Sequence, residues 1–330
     1  MKLASLKADH PDGTLVVVSA DLRRAVAATG IAPTLRAALD AWPHAEPLLQ
    51  DLSRRLNAGD APAAFDFDAH ACVAPLPRTH QFVDASAFLN HGQIMTRAYH
   101  PEKKSDAAIP ILIQRQGDDF AGPYVDYPFP DEADQCDFEG EIGVVLGDVP
   151  MGTRAAEALQ QVRLLVLFND VSMRHHLFRE LAMGFGFILA KPATVFAPVA
   201  VTPDELGDAW RDGRVHLDLT VFRNGERFGY PNGREMSFGF HDLIEYMTYN
   251  RNLRAGALLG SGTFSNVDYR SVGSACLAEQ RAVEKMEEGA ARTPWLAFGE
   301  RLRFEMRDAA GQSVFGEIDM RFVETKRRSA

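Results

Sequence analysis

The run Glu139-Gly-Glu-Ile-Gly-Val-Val-Leu146 constrains this chain's fold more than any other stretch. Its second half, Ile142 to Leu146, is apolar and β-branched, the pattern of a buried strand. Its first half sets two carboxylates at i and i+2, which share one face of a strand. Two acids on one face repel each other unless a cation neutralises them or both face water. The strand runs straight into the interior, where an unpaired carboxylate is costly. A surface position and a cation site both remain open for Glu139 and Glu141 at this point.

The neighbouring segments read as short strands and turns. Leu164 to Phe168 is a second buried strand and runs into Asn169-Asp170. Val215 to Arg223 alternates and ends on Asn224-Gly225, a hairpin signal. Leu258 to Phe264 is a Gly-rich strand. Leu302 to Met306, a turn at Ala310-Gly311 and Val314 to Phe322 form a closing hairpin. The expected helices here are Ala155 to Gln160, Met173 to Ala182 and Phe240 to Tyr249, the last amphipathic through Phe240, Leu243, Ile244 and Met247. Upstream, Leu15 to Ser19 follows the turn pair Asp12-Gly13 and predicts a strand. Thr34 is placed to cap a helix over Thr34 to Trp42, and Leu48 to Leu56 predicts a second one ending near Gly59. The segment from Gly59 to Ala64 has linker character. The reading is a small α+β domain over 1–73, with a packing or assembly role, then a β-rich α+β domain over 74–330. Neither GxGxxG nor GxxxxGK[ST] occurs, Gly184-Phe-Gly186 included, so a dinucleotide or P-loop site has no support.

Composition excludes several classes of function. The chain has 330 residues and a net charge of -10. Its densest basic clusters, Lys103-Lys104 and Lys326-Arg327-Arg328, read as solvated surface, so no nucleic-acid partner is expected. Cys72, Cys136 and Cys276 have no CxxC spacing, which speaks against a thiolate zinc site and against disulfides. Met1 to Leu22 is broken by charges, and Leu15 to Val18 is too short for a signal core or a membrane span. A cytoplasmic protein without a membrane partner is the expectation.

The remaining chemistry gathers in few places. Asp170 ends a fully apolar strand, where it either serves a site at the sheet's end or caps the helix near Met173. Asp84 and His91 lie seven residues apart. Two helical turns would put them on one face, or a loop acid could precede a helical His. A lone His near apolar residues is commonly structural. Four carboxylates without a thiolate form a hard-oxygen set, which selects Mg²⁺, Ca²⁺ or Mn²⁺. Such an ion acts as a Lewis acid on a carbonyl or enolate oxygen, and a His beside it could take a proton from water.

Taken in order, Asp84 with His91, Phe138-Glu-Gly-Glu-Ile142, Phe168-Asn-Asp170, Ala190-Lys191-Pro and Gly260-Ser-Gly-Thr263 resemble the fumarylacetoacetate hydrolase family over roughly residues 75–325. The N-terminal region also resembles that of the longer, fumarylacetoacetase-like members. The resemblance implies a mixed β-sandwich roll, a homodimer and a metal held by Asp84, Glu139, Glu141 and Asp170. It implies that His91 activates water, with Glu279 orienting it at a slightly longer spacing from Thr263 than in the family. Lys191 would lie near metal and substrate, and Thr263 would contact substrate. The implied reaction is hydrolysis of a carbon–carbon bond in a β-diketone acid, a small anionic keto acid, with metal and Lys191 stabilising the departing enolate.

This sequence departs from the family at substrate-facing positions. Where fumarylacetoacetases have a Gln beyond the metal Asp, it reads His175-His176-Leu177. Where they have a Tyr before His-Gly-Arg, it reads Ile111-Leu112-Ile113 and Gln114-Arg115. Arg97 is the nearest counterpart of the family Arg downstream of the base. These departures keep a second class open, a 2-keto acid decarboxylase, isomerase or dehydratase on the same site. A non-catalytic binding protein is a third reading, which four converging acids oppose.

Overall fold

Three antiparallel strands open the chain: β1 (Lys2–Leu6), β2 (Thr14–Val18) and β3 (Arg24–Ala27). The structure, a computed structural model, describes residues 1–100, 102 and 109–325, so both basic clusters named above lie outside the described residues. Helix α1 (Leu35–Asp40) starts where Thr34 predicts, its hydroxyl accepting the Ala37 N–H at 3.1 Å. Helix α2 (Trp42–Asn57) begins a turn and a half before the expected Leu48. Pro43 fits its first turn, where the missing N–H has no partner to lose, and Pro47 sits within the helix instead of stopping it. A short strand β4 (Phe65–Asp66) then pairs with β3.

The strands that build the centre follow. They are β5 (Phe82–Ala85), β6 (Leu112–Arg115), β7 (Tyr124–Phe129), β8 (Cys136–Asp137), β9 (Gly140–Leu146), β10 (Val162–Asn169) and β11 (Ser172–Met173). Next come β12 (Val195–Phe196), β13 (Ala200–Val201), the small hairpin β14 (Trp210–Arg211) and β15 (Arg214–Val215), then β16 (Leu219–Arg223) and β17 (Glu226–Gly229). The last three are β18 (Leu258–Gly260), β19 (Arg301–Arg307) and β20 (Ser313–Glu324). Asn224 and Gly225 both take positive φ, 53° and 85°, as the tight β16–β17 turn requires. The expected strand to Phe264 stops at Gly260, because Gly262, at φ +78°, turns the chain out of the sheet.

The helices of this part are α3 (Leu89–Tyr99), α4 (Ala155–Ala158), α5 (Arg174–Met183), α6 (Phe240–Met247), α7 (Tyr269–Val272) and α8 (Leu277–Glu288). Neither α3 nor α8 is among the few helices expected from sequence. Both lack an ordinary start signal: Phe88 gives α3 no side-chain cap, and Cys276 precedes α8. They pack on each other through Ile94, Ala98 and Ala282. No helix among the described residues is long and apolar enough to cross a membrane.

One sheet has 11 strands, in the order β4-β3-β2-β1-β13-β10-β9-β18-β5-β6 with β12 added beside β10. A second has five, β17-β16-β19-β20-β7. Their facing side chains, Ile142, Val144, Leu165 and Leu167 against Leu219, Phe304, Ile318 and Met320, share one apolar core. The other face of the large sheet packs on α1 and α2 through Leu35, Leu39, Trp42 and Leu49. This is an α+β, sheet-rich roll with parallel pairs (β5–β18, β7–β20) among antiparallel ones. Hydrogen bonding crosses the boundary expected near residue 73, since β1 pairs with β13.

Candidate active site

Register brings four chain segments to one end of the large sheet. β9 starts where its antiparallel partner β10 ends, with Glu141 opposite Phe168 and Gly140 opposite Asn169. β18 is antiparallel to β9, and β5 is parallel to β18, so both also end there. Asp84 sits at that end of β5, Glu139 and Glu141 at the start of β9, and Asp170 just beyond β10. All four are buried. Asn169 fixes the corner by accepting the Glu139 N–H at 2.9 Å, while the Asp170 N–H donates to the Glu139 carbonyl at 2.9 Å. The alternatives left open by sequence are thereby resolved. Glu139 and Glu141 are interior, and Asp84 is a strand residue preceding a helical His91. Asp170 caps no helix, because Met173 stands at the α5 N-cap.

The four acids divide into two electrostatic halves. Lys191 Nζ donates to Asp170 Oδ2 at 2.7 Å and to Glu139 Oε2 at 3.0 Å. Arg115 forks onto Asp170, its Nε 3.1 Å from Oδ1, and Thr194 Oγ1 donates to the same oxygen at 3.1 Å. Arg174 Nη2 donates to Glu139 Oε1 at 2.5 Å. Burial works to raise the Asp170 carboxyl, but Arg115 and Lys191 outweigh it and hold it below the ordinary range. Burial likewise opposes ionisation of Glu139, and Lys191 and Arg174 outweigh it by more. Among the described residues no cation pairs directly with Asp84 or Glu141, although Lys191 and Arg115 lie near enough to act on them. Burial, then the neighbouring Asp170, pushes the Asp84 carboxyl up to about 7. Burial and Asp84 push Glu141 well above its usual range.

This second half fits a cation. Joined by Asp170 from the first half, it makes a group of three whose ligand oxygens lie within 4.8 Å of one another, a group that does not include Glu139, the fourth expected ligand. Glu141 Oε2 and Asp84 Oδ1 share one donor, the Gly262 N–H, at 2.9 and 3.2 Å, and Glu141 Oε1 is buried with no hydrogen-bond partner among the described residues. Six buried carboxylates (Asp84, Asp137, Glu139, Glu141, Asp170, Glu279) face three buried cations (Arg115, Arg174, Lys191), an excess of acid that favours protons on Asp84 and Glu141, which a divalent ion would displace. Gly260 keeps the space open, because a Cβ there would collide with Asp84 Oδ1.

Beside this cluster stands His91, on the first turn of α3. Its Nδ1 is 2.8 Å from Oε2 of the fully buried Glu279, on the first turn of α8. A carboxylate that accepts from Nδ1–H leaves Nε2 with a lone pair for proton transfer. His91 is near enough to Glu139 to help keep it ionised. Thr263 is buried one residue beyond the Gly262 N–H. Arg97 lies elsewhere, exposed on the last turn of α3 with its guanidinium on Gln93, and no contact among the described residues joins it to the acids.

Arg115 stands in the sequence only as part of a departure from the family at Gln114-Arg115, and neither Arg174 nor Asp137 stands out there. A buried Arg beside an apolar strand is a signal in itself, since it demands an acid. Ile113 pairs directly with Asp84, so Ile113 and Arg115 share the face of β6 that Asp84 presents on β5. A cleft of about 850 Å³, lined by Gln81, Val83 and Leu112, lies on the opposite face of β5 and carries no such cluster.

Comparison with known proteins agrees with this architecture. Residues 1–78 match the fumarylacetoacetase N-terminal domain 2 model, and residues 81–323 match the fumarylacetoacetate hydrolase C-terminal model. A 2,4-didehydro-3-deoxy-L-rhamnonate hydrolase from Sphingomonas sp. (strain SKA58) is 33% identical over 157 residues, 47% of this chain and 52% of that protein. A mitochondrial oxaloacetate tautomerase from Homo sapiens is 27% identical over 157 residues, covering 47% and 48%. The chain thus spans about half the length of these curated relatives. The maleylpyruvate hydrolase of Sphingobium sp. SYK-6, solved with manganese(II) and pyruvate, shares the fold at a TM-score of 0.66 and 15% identity, over 99% of this chain and 100% of that one. The chain belongs to the fumarylacetoacetate hydrolase family.

Proposed function

We propose that this protein is a divalent-metal-dependent hydrolase that cleaves the carbon–carbon bond of an acylpyruvate-type β-diketone acid. The observation that carries the proposal is the uncompensated Asp84–Glu141 pair beside the His91–Glu279 dyad. Asp84, Glu141 and Asp170, with Glu139 adjoining, would hold Mg²⁺, Mn²⁺ or Ca²⁺, which supplies a Lewis acid for the substrate's keto oxygens. His91 Nε2 takes a proton from water, and Glu279 holds the ring and stabilises the imidazolium. The hydroxide adds to the distal carbonyl, and the bond to the adjacent carbon breaks. Lys191, kept protonated because Asp170 and Glu139 outweigh its burial, offers positive charge to the enolate. The imidazolium then returns its proton to the enolate carbon, giving a carboxylic acid and a 2-keto acid.

Ile113, opposite Asp84, and Leu177, one helical turn from Arg174, offer no hydrogen bonds to the acyl group. The favoured acyl group is therefore apolar rather than a second carboxylate. The test is turnover on a panel of acylpyruvates with Mn²⁺ or Mg²⁺, with chelator, and with His91→Ala. Cleavage that needs the ion and falls by about 10²–10⁴-fold in His91→Ala is expected. Cleavage that survives both treatments rejects the reading.

A second reading is supported by the tautomerase among the relatives. Moving a proton on a 2-keto acid needs the same base and enolate stabilisation but no attacking water. Mass spectrometry separates the two, since hydrolysis adds water and splits the substrate whereas tautomerisation leaves its mass unchanged.

A further inference from the structure

The mechanism above leaves one fully buried carboxylate unused. Asp137 lies on β8, beside β11, with no exposure to solvent. Its Oδ1 accepts the Phe138 N–H at 2.8 Å and the Leu277 N–H at 2.7 Å. Its Oδ2 accepts the Ala278 N–H at 3.0 Å and Arg174 Nε at 2.8 Å. Four donors fill the acceptor capacity of a carboxylate.

Leu277 and Ala278 are the first two residues of α8, and the third is Glu279, the partner of His91. First-turn N–H groups have no acceptor within their own helix. The residue at the cap, Cys276, offers only a sulfur 3.4 Å from the Glu279 N–H. Asp137, 140 residues away in sequence, supplies the cap that α8 lacks. Arg174, held by Asp137 through Nε, reaches Glu139 through Nη2. One carboxylate thus touches the support of the base on one side and the support of the acid cluster on the other.

We propose that Asp137 is a positioning residue that sets Glu279, and through it His91, in register with the carboxylate cluster. The proposal rests on the reading of His91 as the base. A purely structural Asp137 would lower stability and leave the state of His91 unchanged.

The test reads the His91 tautomer from its ring ¹⁵N shifts at one fixed pH, with no need for turnover. A carboxylate at Nδ1 holds the proton there, so Glu279→Ala is expected to shift the ring toward the Nε2–H form. Asp137→Asn is expected to shift it the same way, and the double variant no further than Glu279→Ala alone. An Asp137→Asn protein that melts lower but keeps the wild-type tautomer, while Glu279→Ala changes it, overturns the proposal. A tautomer unchanged by either substitution overturns the dyad and the proposal together. Should Asp137→Asn not fold, hydrogen exchange on the wild type decides. Leu277 and Ala278 amides as protected as the middle of α8 support the anchor, and exchange at the rate of a frayed first turn removes it.

Discussion

At the scale of single residues, the Asp84–Glu141 pair is the most consequential contact. Raised to about 7 by burial and by Asp170, the Asp84 carboxyl keeps a proton to far higher pH than an ordinary carboxyl with a value of 3.8. Below that value a divalent ion must displace the proton, and above it the ion meets a free carboxylate. The rise in melting temperature on adding Mn²⁺ is therefore expected to be small at pH 5.5 and larger at pH 8, as calorimetry on chelated and reloaded protein would measure. Arg115 makes a second case. Arg115→Met leaves buried Asp170 with Lys191 and Thr194 alone, and breaking such a pair costs about 3–5 kcal/mol in the metal-free protein. Urea unfolding checks this, and titration calorimetry is expected to show tighter Mn²⁺ binding because the ion no longer competes with the guanidinium. The acids were legible in the sequence because their spacing and their apolar flanks set them apart. Arg115 was marked only by its place at the end of an apolar run and Asp137 not at all, because the partners of both lie far along the chain.

At the scale of elements, the ends of strands build the site and their turns protect it. Gly260 closes β18 against Asp84, and Gly262 turns the chain so that its N–H faces both free acids. Gly260→Ala is expected to weaken Mn²⁺ binding by about 10–100-fold, as changes supporting a metal site do. Gly30→Ala, where a Cβ meets nothing within 4 Å, should leave binding unchanged. The strands were readable because β-branched runs and turn pairs are local signals, and β2, β9, β10 and the β19–β20 hairpin all lie where they were expected. Helices α3 and α8 were missed because their starts are stabilised from elsewhere: Asp137 anchors α8, and the Ser237 hydroxyl accepts the Leu89 N–H of α3 at 3.2 Å.

At the scale of the whole molecule, the N-terminal region is joined to the rest by a shared sheet. Removing residues 1–73 would strip β1 from β13 and uncover the apolar face under α1 and α2. A chain of residues 74–330 is expected to be insoluble or to lose cooperative thermal unfolding, as expression trials and circular dichroism would reveal. Composition and linker character could mark a boundary near 73, but hydrogen bonding across it is a long-range property that neither reports.

The span of the contacts at the acid cluster has a kinetic side. The Gly262 N–H reaches Asp84 across 178 positions, and His91 meets Glu279 across 188. Contacts that close such long loops carry a large entropic cost during folding, shared with the β5–β18 pairing of similar span. A cation that needs the finished cluster can bind only once folding has passed its barrier. In stopped-flow experiments Mn²⁺ is therefore expected to slow unfolding and to leave the refolding rate nearly unchanged. The ion would act as a latch on the completed protein rather than as a template for its folding.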